Sequence, residues 1–317
     1  MLTRNITKEK TISPYEKDEK DTADCLSSIE SDRANCRTCP SSRKTSLDVT
    51  EMNMNELILI NLFNQQNSIS NYQSGIATEN IYYQSRKNIL SWLDNVLNST
   101  DLKEETKDSI YHRFCYAYSI IFGELFINEI YLAKGELKLF LISLFLIVYK
   151  MEGFTISKLT IKNIMKLVHK KEKGDSNRVE KQIEENEITL LFLLDYDLFT
   201  LESNMHQMTK IVMSVLSEKY PELKKKENVI NEYLRTSNRN IENSNEPNIL
   251  FDMSPIEKSL ISILSVLVGM ENSVNMCSKY VHYLKEELGV ISMGTEDVVK
   301  YSKMYSQKLY ILKQKRK

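Results

Sequence analysis

Glycine and proline are scarce in this chain, eight and five among 317 residues. So few turn-formers disfavour a β architecture with its many tight connections, and favour long helices. No apolar run reaches the roughly 20 residues that a bilayer crossing needs. No charged-then-apolar leader opens the chain either, so an intracellular protein without a membrane partner is expected. An excess of one charge is also missing. Lys and Arg number 42 against 43 Asp and Glu, a formal net charge of -1, which gives no global pull toward nucleic acid. Cysteines are five, odd in number and scattered, which argues against a disulfide framework. Cys36 and Cys39 form a C-x-x-C with Cys25 upstream. A structural zinc site takes four ligands and this segment holds no histidine, so the choice there is between a zinc site short of one ligand and free thiols.

What the chain does have is apolar residues, 42% of the total, enough for real cores. Its length sets a prior of two folded units and a tail. Residues 1–54 read as a disordered polar tail, because so few apolar side chains cannot offset the ordering entropy. Residues 55–200 read as a first helical unit, led by LILINLF (Leu57 to Phe63), and 201–317 as a second. In the first, helical patterns run over Ile81–Leu97, Thr106–Leu132, the apolar run after Gly135, Ser157–Val168 and Val179–Leu194. In the second they run over Met205–Leu216, Val229–Leu234 with its flanks, Pro255–Met270, Val274–Leu288 and Glu296–Leu312. Ser254, Pro255 and Glu257 predict an N-cap, a first-turn proline and a capping box. The Asn-rich stretch TSNRNIENSNEPN reads as an exposed loop.

The run GELKLFLISLFLIVYKMEG, Gly135 to Gly153, dominates this pattern. Between Leu137 and Met151 only Lys138, Ser143 and Lys150 are not hydrophobic. A helix apolar on every side has no solvent face and belongs at the centre of a bundle. Lys150 marks where it surfaces. On Val179–Leu194 the inward stripe is Val179, Ile183, Leu190, Leu191 and Leu194, and Glu187 falls within it. A carboxylate on an apolar face is costly alone, so it needs a partner or an interface. Lys150 is the candidate partner; the alternative is that both are ordinary solvated charges.

Assembled, these features resemble the cyclin family, its mitotic A and B types most closely. GELKLFLISLFLIVYKMEG is similar to the family's third helix, EKQIEENEITLLFLLDYDLF (Glu180 to Phe199) to the end of its first box, and RKNILSWL (Arg86 to Leu93) to its opening helix. Arg86, Leu139, Lys150 and Glu187 match four positions that mark the box. The fifth marker, an aspartate on the second helix that pairs with the arginine, is absent; Gly123 stands there beside Glu124. The likeness covers Arg86–Phe199 and is architectural only over Leu201–Tyr310.

The resemblance implies an all-α chain of two tandem five-helix cyclin-like folds, each around a buried third helix. It implies no catalysis, no cofactor and no metal, but a regulatory subunit that binds and activates a cyclin-dependent kinase in the nucleus and cytoplasm. Lys150 and Glu187 would hydrogen-bond the kinase, ringed by Ile147, Met151, Leu191 and Tyr196, while Arg86 and Leu139 would hold the box together. A substrate-docking patch would comprise Ser85, Ile89 and Trp92, with Asn95 and Lys138 nearby; Ser85 and Asn95 depart from the family's Met and acid. Two rivals from neighbouring classes are a cyclin-fold transcription factor, which calls for a basic surface, and a helical adaptor without a kinase. An enzyme is the third. His112 and Cys115 lie three apart on one helix, as a thiol–imidazole dyad could, or as a buried thiol beside a histidine.

Overall fold

The computed structural model describes residues 52–70, 81–127, 132, 134–154, 176–244, 253–271 and 274–315. Residues 1–51 of the tail, with its cysteines, and the helix expected over 157–168 lie outside these residues. Among the described residues the chain is all-helical, with eleven α-helices and no strand. In order they are α1 (Met54–Ser70), α2 (Ile81–Asn98), α3 (Glu104–Ile127), α4 (Lys134–Met151), α5 (Ser176–Leu193), α6 (Met205–Lys219), α7 (Pro221–Lys224), α8 (Glu227–Glu242), α9 (Pro255–Glu271), α10 (Cys277–His282) and α11 (Thr295–Lys315). A 3-10 turn, Leu198–Ser203, precedes α6, and a π-helical turn, Tyr283–Glu287, follows α10.

Two helices are wrapped on all sides. In α4 every residue from Phe140 to Val148 is buried, against α3 and α5. Ser143, the one polar residue there, donates its hydroxyl to the Leu139 carbonyl at 2.9 Å and to the Ile183 carbonyl of α5 at 3.2 Å. That removes the cost of burying it. The helix stops at Gly153, whose φ of +78° only glycine takes without strain and whose N–H bonds the Lys150 carbonyl at 2.9 Å. The second wrapped helix is α9, buried against α6, α8 and α11. Its start is the capping box expected of Ser254 and Glu257: the Glu257 N–H donates to Ser254 Oγ at 3.2 Å and the Ser254 N–H to Glu257 Oε2 at 2.9 Å.

The buried apolar residues form two clusters. One runs from Ile89 to Leu201 and centres on α4; the other, centred on α9, runs from Met205 to Leu309 and includes Leu59. Leu59 is a departure from the sequence grouping, which put the leading helix with the first unit. Helix α1 packs on α6 instead, where Asn55 donates to Ser214 Oγ and Glu218 Oε1 and Glu56 accepts from the Tyr283 hydroxyl.

The Asn-rich stretch also differs from its reading as a loop. Residues 236–242 are the last turns of α8, with Ser237, Asn238, Ile241 and Glu242 buried. Ser237 and Asn238 are satisfied by the chain rather than by solvent. Ser237 Oγ donates to the Ser262 carbonyl at 3.1 Å, and the Ser262 hydroxyl donates to Asn238 Oδ1.

Candidate functional site

The site is built where α4 surfaces beside α5. Lys150, in the last turn of α4, sits where the helix dipole favours a cation. Its Nζ lies 2.7 Å from Oε1 and 2.6 Å from Oε2 of Glu187. The lysine side chain is 49% exposed and the glutamate 17%, so the ammonium has room for a further partner. The two residues that the sequence sets far apart are thus brought together on one surface.

Around them the apolar residues divide by depth. Ile147, three residues before Lys150, is buried in the first cluster, so it supports this surface rather than offering contact area. Met151 and Leu191 are half-buried against the first cluster, and Tyr196 is exposed. Sequence reasoning missed Ile188 and Phe192, which are 62% and 68% exposed. They stand one turn apart on α5, and Tyr196 is exposed just past the end of that helix. The signal was present, since an apolar i, i+4 pair lies outside the inward stripe of α5.

Tyr196 is held in an unusual way. After α5 both Asp195 and Tyr196 are left-handed, with φ of 50° and 58°. The Tyr196 N–H closes the helix end on the Leu191 carbonyl at 2.8 Å. Each such residue costs about 1–2 kcal/mol in backbone strain, and the result is a large aromatic ring presented to solvent.

Behind the site, Glu152 accepts from Ser109 Oγ at 2.6 Å and from Arg113. Arg113 also bonds both oxygens of Glu202, at 2.7 Å each.

The remaining sequence candidates sit elsewhere. Leu139 is half-buried on the first cluster. Arg86 is buried, and its partner is one the sequence did not reveal: it donates to the carbonyl oxygen of Glu242 and, at 3.1 Å, to Glu242 Oε2, at the end of α8. Burial alone would raise the Glu242 pKa. His112, with Nδ1 3.8 Å away, Lys258 and Arg86 outweigh that and hold the carboxyl down at about 2. In the docking patch Ile89 is buried, and Trp92 is half-buried with its ring against Phe114 and Phe145, a core placement. Asn95 is exposed.

His112 and Cys115 are both buried, at 1% exposure. Burial first, with Glu242 adding, pushes the Cys115 thiol well above its usual range, the reverse of what a nucleophile needs. Among the described residues no group of His, Cys, Asp and Glu could hold a metal ion, and no helix is long and apolar enough to cross a membrane. No protein-family model matches the chain, and a search of the curated proteins finds no match.

Proposed function

We propose that this chain is a cyclin-like regulatory subunit, two tandem five-helix folds with α1 packed on the second, that binds and activates a cyclin-dependent protein kinase in control of cell-cycle progression. The observation that carries the reading is the Lys150–Glu187 pair, its lysine half open to water at the end of a wrapped helix, with Ile188, Phe192 and Tyr196 exposed on and just past α5. Desolvated charges amid large apolar side chains are what an interface hot spot needs.

The subunit has no chemistry of its own to perform. Its face presses on the kinase's mobile helix so that the kinase's glutamate meets its ATP-positioning lysine. That is a population shift, limited by the difference in affinity for the two kinase states. Carrying a two-state partner from 1:99 to 99:1 takes about 5.5 kcal/mol of differential binding. Fully burying one large apolar side chain contributes about 1.5–3 kcal/mol, so the three, about two-thirds exposed, would supply about 3–6 kcal/mol if only the active arrangement covers them, a large part of that difference. Action in nucleus and cytoplasm, without nucleic acid as a partner, follows from the same reading.

Affinity capture from the source cells tests it, with wild type and the Lys150→Ala/Glu187→Ala variant as baits. A protein kinase is expected with the first and not with the second. No kinase, or equal recovery with both, contradicts the proposal. Recovery of a non-kinase protein that depends on these two residues would assign the face to an adaptor.

A further inference from the structure

An exposed ion pair adds little stability and does little to hold its own geometry. What steadies Lys150 and Glu187 lies behind them. Glu152, in the turn that follows Lys150, is held by Ser109 and by one terminal nitrogen of Arg113. The other terminal nitrogen of Arg113 bonds both oxygens of Glu202, in the 3-10 turn that follows Tyr196. One guanidinium, only 8% exposed, therefore ties together the turns at both ends of the candidate face.

The same stretch of α3 is gripped from its other side by α8. Asp108 pairs with Arg235 at 2.9 Å and with Arg239 at 3.0 Å. The Arg239 guanidinium lies 4.3 Å from the centre of the Tyr111 ring, and the Tyr111 hydroxyl donates to Asn243 Oδ1 at 3.1 Å. Residues 108–113 thus alternate between two tasks, Asp108 and Tyr111 facing α8 while Ser109 and Arg113 face the end of α4.

We propose that Arg113 is the positioning residue of the Lys150–Glu187 face, and that the α3 segment 108–113 is a brace through which the second half of the chain steadies it. A face held in place before its partner arrives loses less freedom on binding. What docks there rests on the function proposed above; the brace itself does not.

Amide hydrogen exchange on the full chain, with kinase capture run in parallel, tests the two separately. Arg113→Gln is expected to speed exchange about tenfold at residues 149–154 and 196–202 and leave α9 unchanged, since local opening is independent of global stability. Arg113→Lys, whose single ammonium cannot span both carboxylates, should restore protection at one of the two turns only. If Arg113→Gln strips α9 of protection as well, Glu202→Gln, which leaves the Glu152 contact in place, decides. Faster exchange at 196–202 with α9 intact supports the brace; unchanged exchange there overturns it. No kinase with wild type, together with the expected exchange, sinks the docking reading and leaves the brace standing.

Discussion

Two ion pairs in this molecule have the same chemistry and opposite surroundings. Arg86–Glu242 joins α2 to α8, with both side chains 7% exposed. Lys150–Glu187 joins α4 to α5, with its lysine half in water. The buried pair cannot lose one member without stranding the other in a low dielectric, so it acts as a lock between the halves. The open pair stabilises little and keeps its hydrogen-bonding capacity for another molecule. Location, not residue type, separates a structural charge from a candidate docking charge.

The largest expected effect breaks the lock. Arg86→Ala should cost about 3 kcal/mol in urea denaturation, the low end for a broken buried pair, because Glu242 loses its hydrogen-bonded partner and keeps only His112 and Lys258 near it. Arg86→Met/Glu242→Met should regain most of that loss; a double variant as damaged as the single would refute the lock. Acid sharpens the same comparison. Burial first, then His112 and Lys210, hold His206 neutral in the fold, with a pKa of about 3 against an ordinary 6.5. Its ring stacks on His112 at 6.0 Å, with Glu105 and Arg113 also acting on it. The unfolded chain takes up that proton first, so stability is full above pH 6.5 and falls as pH drops toward 3. Glu242, at about 2 against 4.5, adds a loss between 4.5 and 2. His206→Phe should flatten the slope from pH 6.5 down to about 3 and leave only the Glu242 loss between 4.5 and 2, as read by denaturant midpoints across pH.

The exposed pair should respond weakly. Lys150→Ala is expected to change unfolding free energy by less than about 1 kcal/mol; a loss of 3 kcal/mol would make this pair structural too. Asp195→Gly, which relieves one left-handed residue, should raise stability by about 0.5–1 kcal/mol, the glycine's own entropy offsetting part of the gain.

The all-α class, most helix positions and the capping box of α9 were legible, because periodicity and capping residues act locally. The meeting of Lys150 and Glu187 was legible for a related reason: a charge inside an apolar stripe demands a partner. Burial of α8's end was not. Asn238, Ser237 and Glu242 look solvated in sequence, and only partners from 24 or more residues away, Ser262 and Arg86, make their burial tolerable. The partner of Arg86 was sought on the second helix, where the resemblance placed it, and stands instead on α8, 156 residues along the chain. Helix α1 went astray likewise. Nothing in its own residues says whether an amphipathic segment packs on the unit that follows it or on the one beyond.

The most direct test of the docking face is phosphoryl transfer by a purified cyclin-dependent kinase titrated with this chain. The account predicts a saturable rise in rate with wild type, lost in Lys150→Ala/Glu187→Ala at unchanged thermal midpoint. No rise with wild type, or an equal rise with the variant, would contradict it.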